Sequence, residues 1–175
     1  MSETAEPVQD APGDPVAVAR EIALRQLTVR QRTRAELAQA MTRRNVPEEA
    51  ARQVLDRFTE VGLLDDATFA RDWVAAGDRR LRGGRVLASE LTRKGVTDEL
   101  IEQALAERAD DADLQAARDL ARRRLPGLAR LDRQTRYRRL CGLLQRRGFG
   151  WGVIAQVTRE VLDEAEDQPW VQDET

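Results

Sequence analysis

Few side chains in this 175-residue sequence could act as catalysts, and those that could stand in patterns that suit other work. Histidine is absent, which removes every His-dependent triad or general base and the usual zinc sets. Cys141 is the single cysteine, so no internal disulfide can form. The adjacent carboxylates Asp65 and Asp66 have no histidine, phosphate loop or third carboxylate nearby to make an acid/base pair or a Mg²⁺ site. Either one suits the start of a helix, where a carboxylate accepts free backbone N–H groups and meets the positive end of the helix dipole. Gly83-Gly84 lies among arginines but lacks the Lys-Ser/Thr pair and the preceding strand of a P-loop, so a flexible basic turn is expected. Gly148-Phe149-Gly150-Trp151-Gly152 reads as a helix stop followed by an interhelix turn. No nucleophile, base and metal arrangement emerges, so the expectation is a protein that is not an enzyme and uses no cofactor or metal.

What remains is charge. The net charge of −2 hides a partition, because ten of the 31 acids lie in residues 1–16 and 163–175, which contain no base, leaving 21 acids against 29 bases between them. From Asp113 to Arg159 twelve arginines face three aspartates, a surplus of +9. Arg122, Arg123 and Arg124 are consecutive on a helix and cannot all face a core, and Arg136, Arg139, Arg146 and Arg147 follow in the next helix with Tyr137 among them. A solvated face usually balances its signs, so this surplus marks a surface for phosphates or for acidic protein groups. The basic pairs Arg43/Arg44, Arg93/Lys94 and Arg146/Arg147 carry two readings. Cations in a last helical turn are favoured by the macrodipole, and they also suit a partner surface.

The elements that carry these residues repeat. Leu87, Leu91, Arg93, Lys94, Gly95, Val96 and Ile101 align without gaps with Leu37, Met41, Arg43, Arg44, Asn45, Val46 and Ala51, fifty residues upstream, and with Leu140, Leu144, Arg146, Arg147, Gly148, Phe149 and Ile154, fifty-three downstream. Each copy reads as a helix, a tight turn and a second helix. The apolar pair four residues apart marks one helical face, Asn or Gly supplies a left-handed stop, and the next apolar residue folds back. Small units of this size lean on their neighbours, and the low aromatic and high charged content suits an elongated helical protein. The expected fold is all-α, in three tandem three-helix, helix-turn-helix-like repeats.

Taken in order, residues 1–14 read as a disordered acidic extension, 15–61 as the first repeat, 62–109 as the second, 110–165 as the strongly basic third and 166–175 as an acidic tail. The first helix is expected to bury Val18, Ile22, Leu24 and Leu27. Thr33 with Glu36 forms a capping box for the second. Phe69 and Trp73 share a face of the fourth, with Leu81 in phase, and Leu114, Ala117, Ala121 and Leu125 line the seventh. Trp170 either docks back or meets a partner. No run of 18 apolar residues or secretory signal is present, so a soluble, cytoplasmic protein is expected. Its free state is expected to be monomeric. The last helix of each repeat is too acidic, or too poor in bases, to act as a recognition helix. Residues 47–57 hold Glu48, Glu49 and Asp56, residues 97–107 hold four acids and no base, and residues 150–162 offer only Arg159.

Leu63-Leu64-Asp65-Asp66, with Phe69-Ala70 and Trp73, then the basic Gly83-Gly84 turn, then Glu90-Leu91 and Lys94-Gly95-Val96, resemble the RecX family, bacterial regulators of the RecA recombinase. The resemblance covers about residues 17 to 162 and is most specific in the middle repeat. Arg82-Gly83-Gly84-Arg85 departs from the proline that many relatives carry after the first glycine. The resemblance implies a curved row of three-helix units that binds along the groove of the RecA–DNA filament. It implies restraint of filament growth, ATP hydrolysis, strand exchange and co-protease activity, with weak DNA binding of its own in some members. A general nucleic-acid-binding helical protein without RecA contact is the alternative.

Overall fold

The computed structural model describes residues 14–167, and the expectations for residues 1–13, for 168–175 and for Trp170 lie outside the described residues. Within them the secondary structure is helical: α1 (Pro15–Val29), α2 (Arg34–Thr42), α3 (Glu48–Glu60), α4 (Asp66–Asp78), α5 (Gly84–Arg93), α6 (Asp98–Ala106), α7 (Ala112–Arg124), α8 (Arg133–Arg146) and α9 (Trp151–Asp167). The chain divides into two compact units, one ending at Phe69 and one beginning at Ala70, so the division falls inside α4.

The three aligned turns close in the same way. Asn45, Gly95 and Gly148 hold φ of 56°, 76° and 88°, the left-handed region. The following N–H then reaches back to the helix: Val46 donates to Met41 O (3.2 Å), Val96 to Leu91 O (3.1 Å) and Phe149 to Leu144 O (3.3 Å). Val96 and Phe149 are buried and Val46 packs on its unit's core, as the alignment predicts.

In the first unit α1, α2 and α3 pack around Ile22, Leu37, Met41, Val54, Leu55 and Phe58. The face of α1 differs from expectation. Ala19, Ile22 and Ala23 are buried, Leu27 packs beside them, and Val18 and Leu24 are 41% and 43% exposed. Leu24 lies 200° around the helix from Ile22, and small alanines let α1 approach its neighbours closely. Asp14 caps α1 by accepting from Val16 N (3.0 Å), and Thr33 with Glu36 forms the expected capping box. The two adjacent aspartates cap two different helices. Asp65 accepts from Thr68 N (2.9 Å) within α4, and Asp66 accepts from Arg34 N (2.9 Å) at the start of α2.

In the second unit α7, α8 and α9 share a core of Ala117, Ala121, Leu140, Leu144, Ile154, Val157, Val161 and others. Of the α7 residues expected at that core, Ala117 and Ala121 are buried and Leu114 and Leu125 are half-buried against it. The helix stops at Arg124, and one 3₁₀ turn (Leu125–Leu128) seats Leu128. Leu81 is not in phase on α4. The helix ends at Asp78, Leu81 takes a left-handed φ of 53°, and its side chain packs on the α7–α9 core.

The Gly83-Gly84 turn, expected to be flexible, is fastened on both residues. Gly83 N donates to Arg147 O (2.8 Å) and Gly84 N to Asp113 Oδ1 (3.1 Å). A Cβ on Gly83 would stand 2.4 Å from Gly148 O, and one on Gly148 would stand 2.5 Å from Val86 Cβ. Two glycines therefore let the start of α5 and the α8–α9 turn meet backbone to backbone. Arg108, its side chain only 10% exposed, ties the same region together through Asp78 (2.7 Å) and Asp113 (2.8 Å).

Candidate anion-binding groove

The arginines of α7 and α8 are sorted by the helical face on which each falls. Arg118 and Arg122, four apart on α7, meet Glu160 (2.9 Å) and Glu164 (3.0 Å), four apart on α9. The rungs ascend in the same sense, so α7 and α9 run parallel. At the start of α8, Arg133 reaches Asp163 and Glu166, each at 2.5 Å. These hydrogen bonds raise the pKa of Arg133, and the bond from Arg118 holds the Glu160 carboxyl below the ordinary carboxylate range.

The opposite faces of the same helices form a groove of about 770 Å³. Arg123 and Arg124 of α7 stand on one side, with Arg138, Arg139 and Arg146 of α8 and then Arg147 on the other. Thr135, Arg138, Arg139, Gly142 and Arg146 follow at helical spacing, so α8 presents them as one stripe, over a floor that includes Leu120 and Leu143. No carboxylate lines the groove, and none of its six arginines has a carboxylate partner among the described residues. Gly142 adds no side chain to the middle of the stripe, and Arg146 Nη1 lies 3.3 Å from where its Cβ would stand.

Of the residues singled out from sequence, the groove collects Arg123, Arg124, Arg139, Arg146 and Arg147. Arg122 is turned onto Glu164, and Arg136 is half-buried with its Nε lacking a hydrogen-bond partner, so neither lines the groove. Arg138, counted in the charge surplus but not singled out, does line it. Its i+3 spacing from Thr135 and i+4 spacing to Gly142 are the available signal. Arg93 and Lys94 end α5, where Lys94 Nζ sits 4.5 Å from the centre of the Trp73 ring, and Arg43 and Arg44 are exposed at the end of α2 in the first unit. Trp73 Nε1 donates to Glu90 (3.0 Å), which also pairs with Arg82. Arg147 Nη1 donates to Arg80 O (2.9 Å), bringing the basic turn before α5 against the end of α8.

Repeated helix-turn-helix units with an uncompensated cationic groove, and no group of three His, Cys, Asp or Glu able to hold a metal among the described residues, define an all-α tandem-repeat protein. Three family models match in order, described as RecX first, second and third three-helix domains, at residues 19–58, 65–105 and 111–158. The regulatory protein RecX of Streptomyces coelicolor is 44% identical over 167 residues, 94% of this chain and 89% of the relative. That of Thermobifida fusca is 43% identical, over 87% of this chain and 83% of the relative. The chain belongs to the RecX family, a family of regulatory proteins. The fold agrees with the crystal structure of RecX from Lactobacillus salivarius, at a TM-score of 0.78 and 21% identity over 86% of this chain and 98% of that one. No helix among the described residues is long and apolar enough to cross a membrane.

Proposed function

We propose that this chain binds the RecA–DNA filament in the bacterial cytoplasm and restrains RecA, lowering its ATPase, filament extension, strand exchange and co-protease activity by occupying the filament rather than by chemistry. Membership of the RecX family supports the partner. The observation that carries the reading is the α7–α8 groove, where six arginines converge without a carboxylate. Like charges held together in this way repel one another in the free protein, and an anionic partner relieves that repulsion while releasing its own counterions.

The experiment compares two sets of neutral substitutions. Arg138→Gln with Arg139→Gln and Arg146→Gln removes three of the four arginines on one wall of the groove, whereas Arg118→Gln with Arg122→Gln touches only the face paired to α9. The first set is expected to weaken filament binding and to flatten the slope of log affinity against log salt by roughly 2, about 0.7 for each single-strand phosphate that is no longer neutralised. The second is expected to leave that slope unchanged. Equal slopes for the wild type and the groove variant would remove the groove from the interface. The alternative, nucleic-acid binding without RecA contact, is separated by RecA ATPase on single-stranded DNA. Inhibition well below the DNA-coating ratio supports filament binding, and inhibition only at coating supports competition for DNA.

A further inference from the structure

Trp151, the first residue of α9, is 60% exposed. So large an aromatic surface ordinarily finds cover in a core. It stands between two glycines. Chain neighbours apart, a Cβ on Gly152 would meet nothing within 4 Å, and the three atoms nearest to one on Gly150 belong to the Arg85 guanidinium, at 3.8 to 3.9 Å. The Arg85 guanidinium therefore lies beside the glycine that precedes Trp151, and no other element of the fold crowds the glycine that follows it.

The stretch of sequence that carries it has charge of one sign only. No acid occurs between Asp132 and Glu160, a span containing Arg133, Arg136, Arg138, Arg139, Arg146, Arg147 and Arg159. Arg147, a groove residue, is four residues from Trp151, so their Cα atoms are at most about 14 Å apart, a distance that one or two nucleotides of a single strand can span. A hydrophobic protein partner would need a wider apolar patch than one ring set among glycines and arginines. An unpaired nucleobase needs a single open aromatic face with cations close by for its phosphates.

We propose that Trp151 stacks on an unpaired nucleobase, with Arg85 and Arg147 on the flanking phosphates, and that it gives this surface a preference for single-stranded over double-stranded nucleic acid. The inference rests on the reading of the groove as a phosphate surface and adds what that reading lacks. Arginines alone hold any polyanion, whereas a duplex keeps its base faces stacked inside and cannot use the tryptophan.

The test measures binding of the full chain, by anisotropy, to a labelled oligothymidylate of about 15 nucleotides and to a duplex of equal length, a span that covers one such site with room on either side. The wild type is compared with Trp151→Ala, Trp151→Phe and Arg85→Gln. Trp151→Ala is expected to weaken the single strand roughly tenfold and the duplex less than about twofold, with Trp151→Phe recovering most of the loss. Arg85→Gln is expected to weaken the single strand and flatten its salt slope. Unchanged single-strand affinity in Trp151→Ala, or an equal loss for both nucleic acids, overturns the inference. Failure of the groove reading is seen separately, as undiminished affinity for both probes in the Arg138→Gln, Arg139→Gln variant.

Discussion

A methyl group added at Gly83 tests whether the second and third repeats meet as described. Gly83 has φ −75° and ψ 154°, an ordinary extended conformation, so alanine meets no backbone penalty there. The obstacle is steric, because the new Cβ would lie 2.4 Å from Gly148 O, 2.5 Å from Gly148 C and 2.6 Å from Phe149 N, backbone atoms that cannot rotate away. Separating the two segments sacrifices the 2.8 Å hydrogen bond from Gly83 N to Arg147 O, a loss of about 1 kcal/mol. Overpacking strain adds about 1 to 3 kcal/mol. The expected destabilisation is thus about 2 to 4 kcal/mol. Gly62→Ala is the control: with φ +73° and no atom within 4 Å of its Cβ, it isolates the left-handed penalty, about 1 to 2 kcal/mol. Gly148→Ala combines φ +88° with a 2.5 Å approach to Val86 Cβ and is expected to be the most damaging of the three. Urea unfolding is followed by far-UV circular dichroism, which reads the helices of both units and so covers Gly62 in the first, and by tryptophan emission, which reports on the second, where Trp73 and Trp151 lie. A Gly83→Ala protein within about 0.5 kcal/mol of wild type, or stabilised as strain-free Gly→Ala changes are, would refute the backbone contact.

Two further outcomes follow from the ion pairs. Replacing Glu90 by Ala strips the carboxylate from Arg82, whose side chain is 22% exposed, and from Trp73 Nε1, so a destabilisation of about 2 kcal/mol with a red shift of Trp73 emission is expected. A change under about 0.5 kcal/mol would mean that water replaces the carboxylate without penalty. The Glu160 carboxyl is depressed by its hydrogen bond from Arg118, so its stabilising contribution is present above the ordinary value of 4.5 and is lost as pH falls through the depressed value. Carboxyl NMR of Arg118→Gln should show Glu160 titrating closer to 4.5, and an unmoved titration would place the cause elsewhere.

The turns are the most legible part of the chain. Asn45, Gly95 and Gly148 can be assigned a left-handed conformation from type and register alone, because so few residues tolerate it, and all three adopt it. The adjacent aspartates are legible as caps, but that Asp66 serves α2 rather than its own helix depends on a partner 32 residues away. The face of α1 is misread when large apolar residues are counted and the buried alanines are not. The Gly83-Gly84 junction is hidden for a related reason. Glycine signals freedom or closeness equally well, and only the position of Gly148 decides between them. The groove is legible as a surplus of charge, yet not as a set of particular side chains. Which of three consecutive arginines faces α9 follows from packing, and Arg122 turns to Glu164 while Arg123 and Arg124 do not.

The acids of α9 explain why the groove stays unpaired. Glu160, Asp163, Glu164 and Glu166 occupy its last two turns, and the parallel course of α7 places them beside Arg118 and Arg122. Helix α8 runs the other way, so only its first residue, Arg133, reaches that strip. Arg146, thirteen residues on, lies about 20 Å further along the axis, at the end of α9 that has no acid in its first turn. The recurring basic pairs can be separated on the same grounds. All three close a helix whose dipole favours cations there, and Lys94 is further occupied over Trp73. Only Arg146 and Arg147 also join four other arginines across a groove, so dipole complementarity accounts for the recurrence of the pairs but not for that convergence. In the proposed reading the first explanation belongs to the repeat as a fold and the second to its third copy alone. Neutralising Arg43 and Arg44 should accordingly leave the salt slope of filament binding where it was, and a slope flattened as much as by the groove substitutions would show that the first copy grips the filament as well.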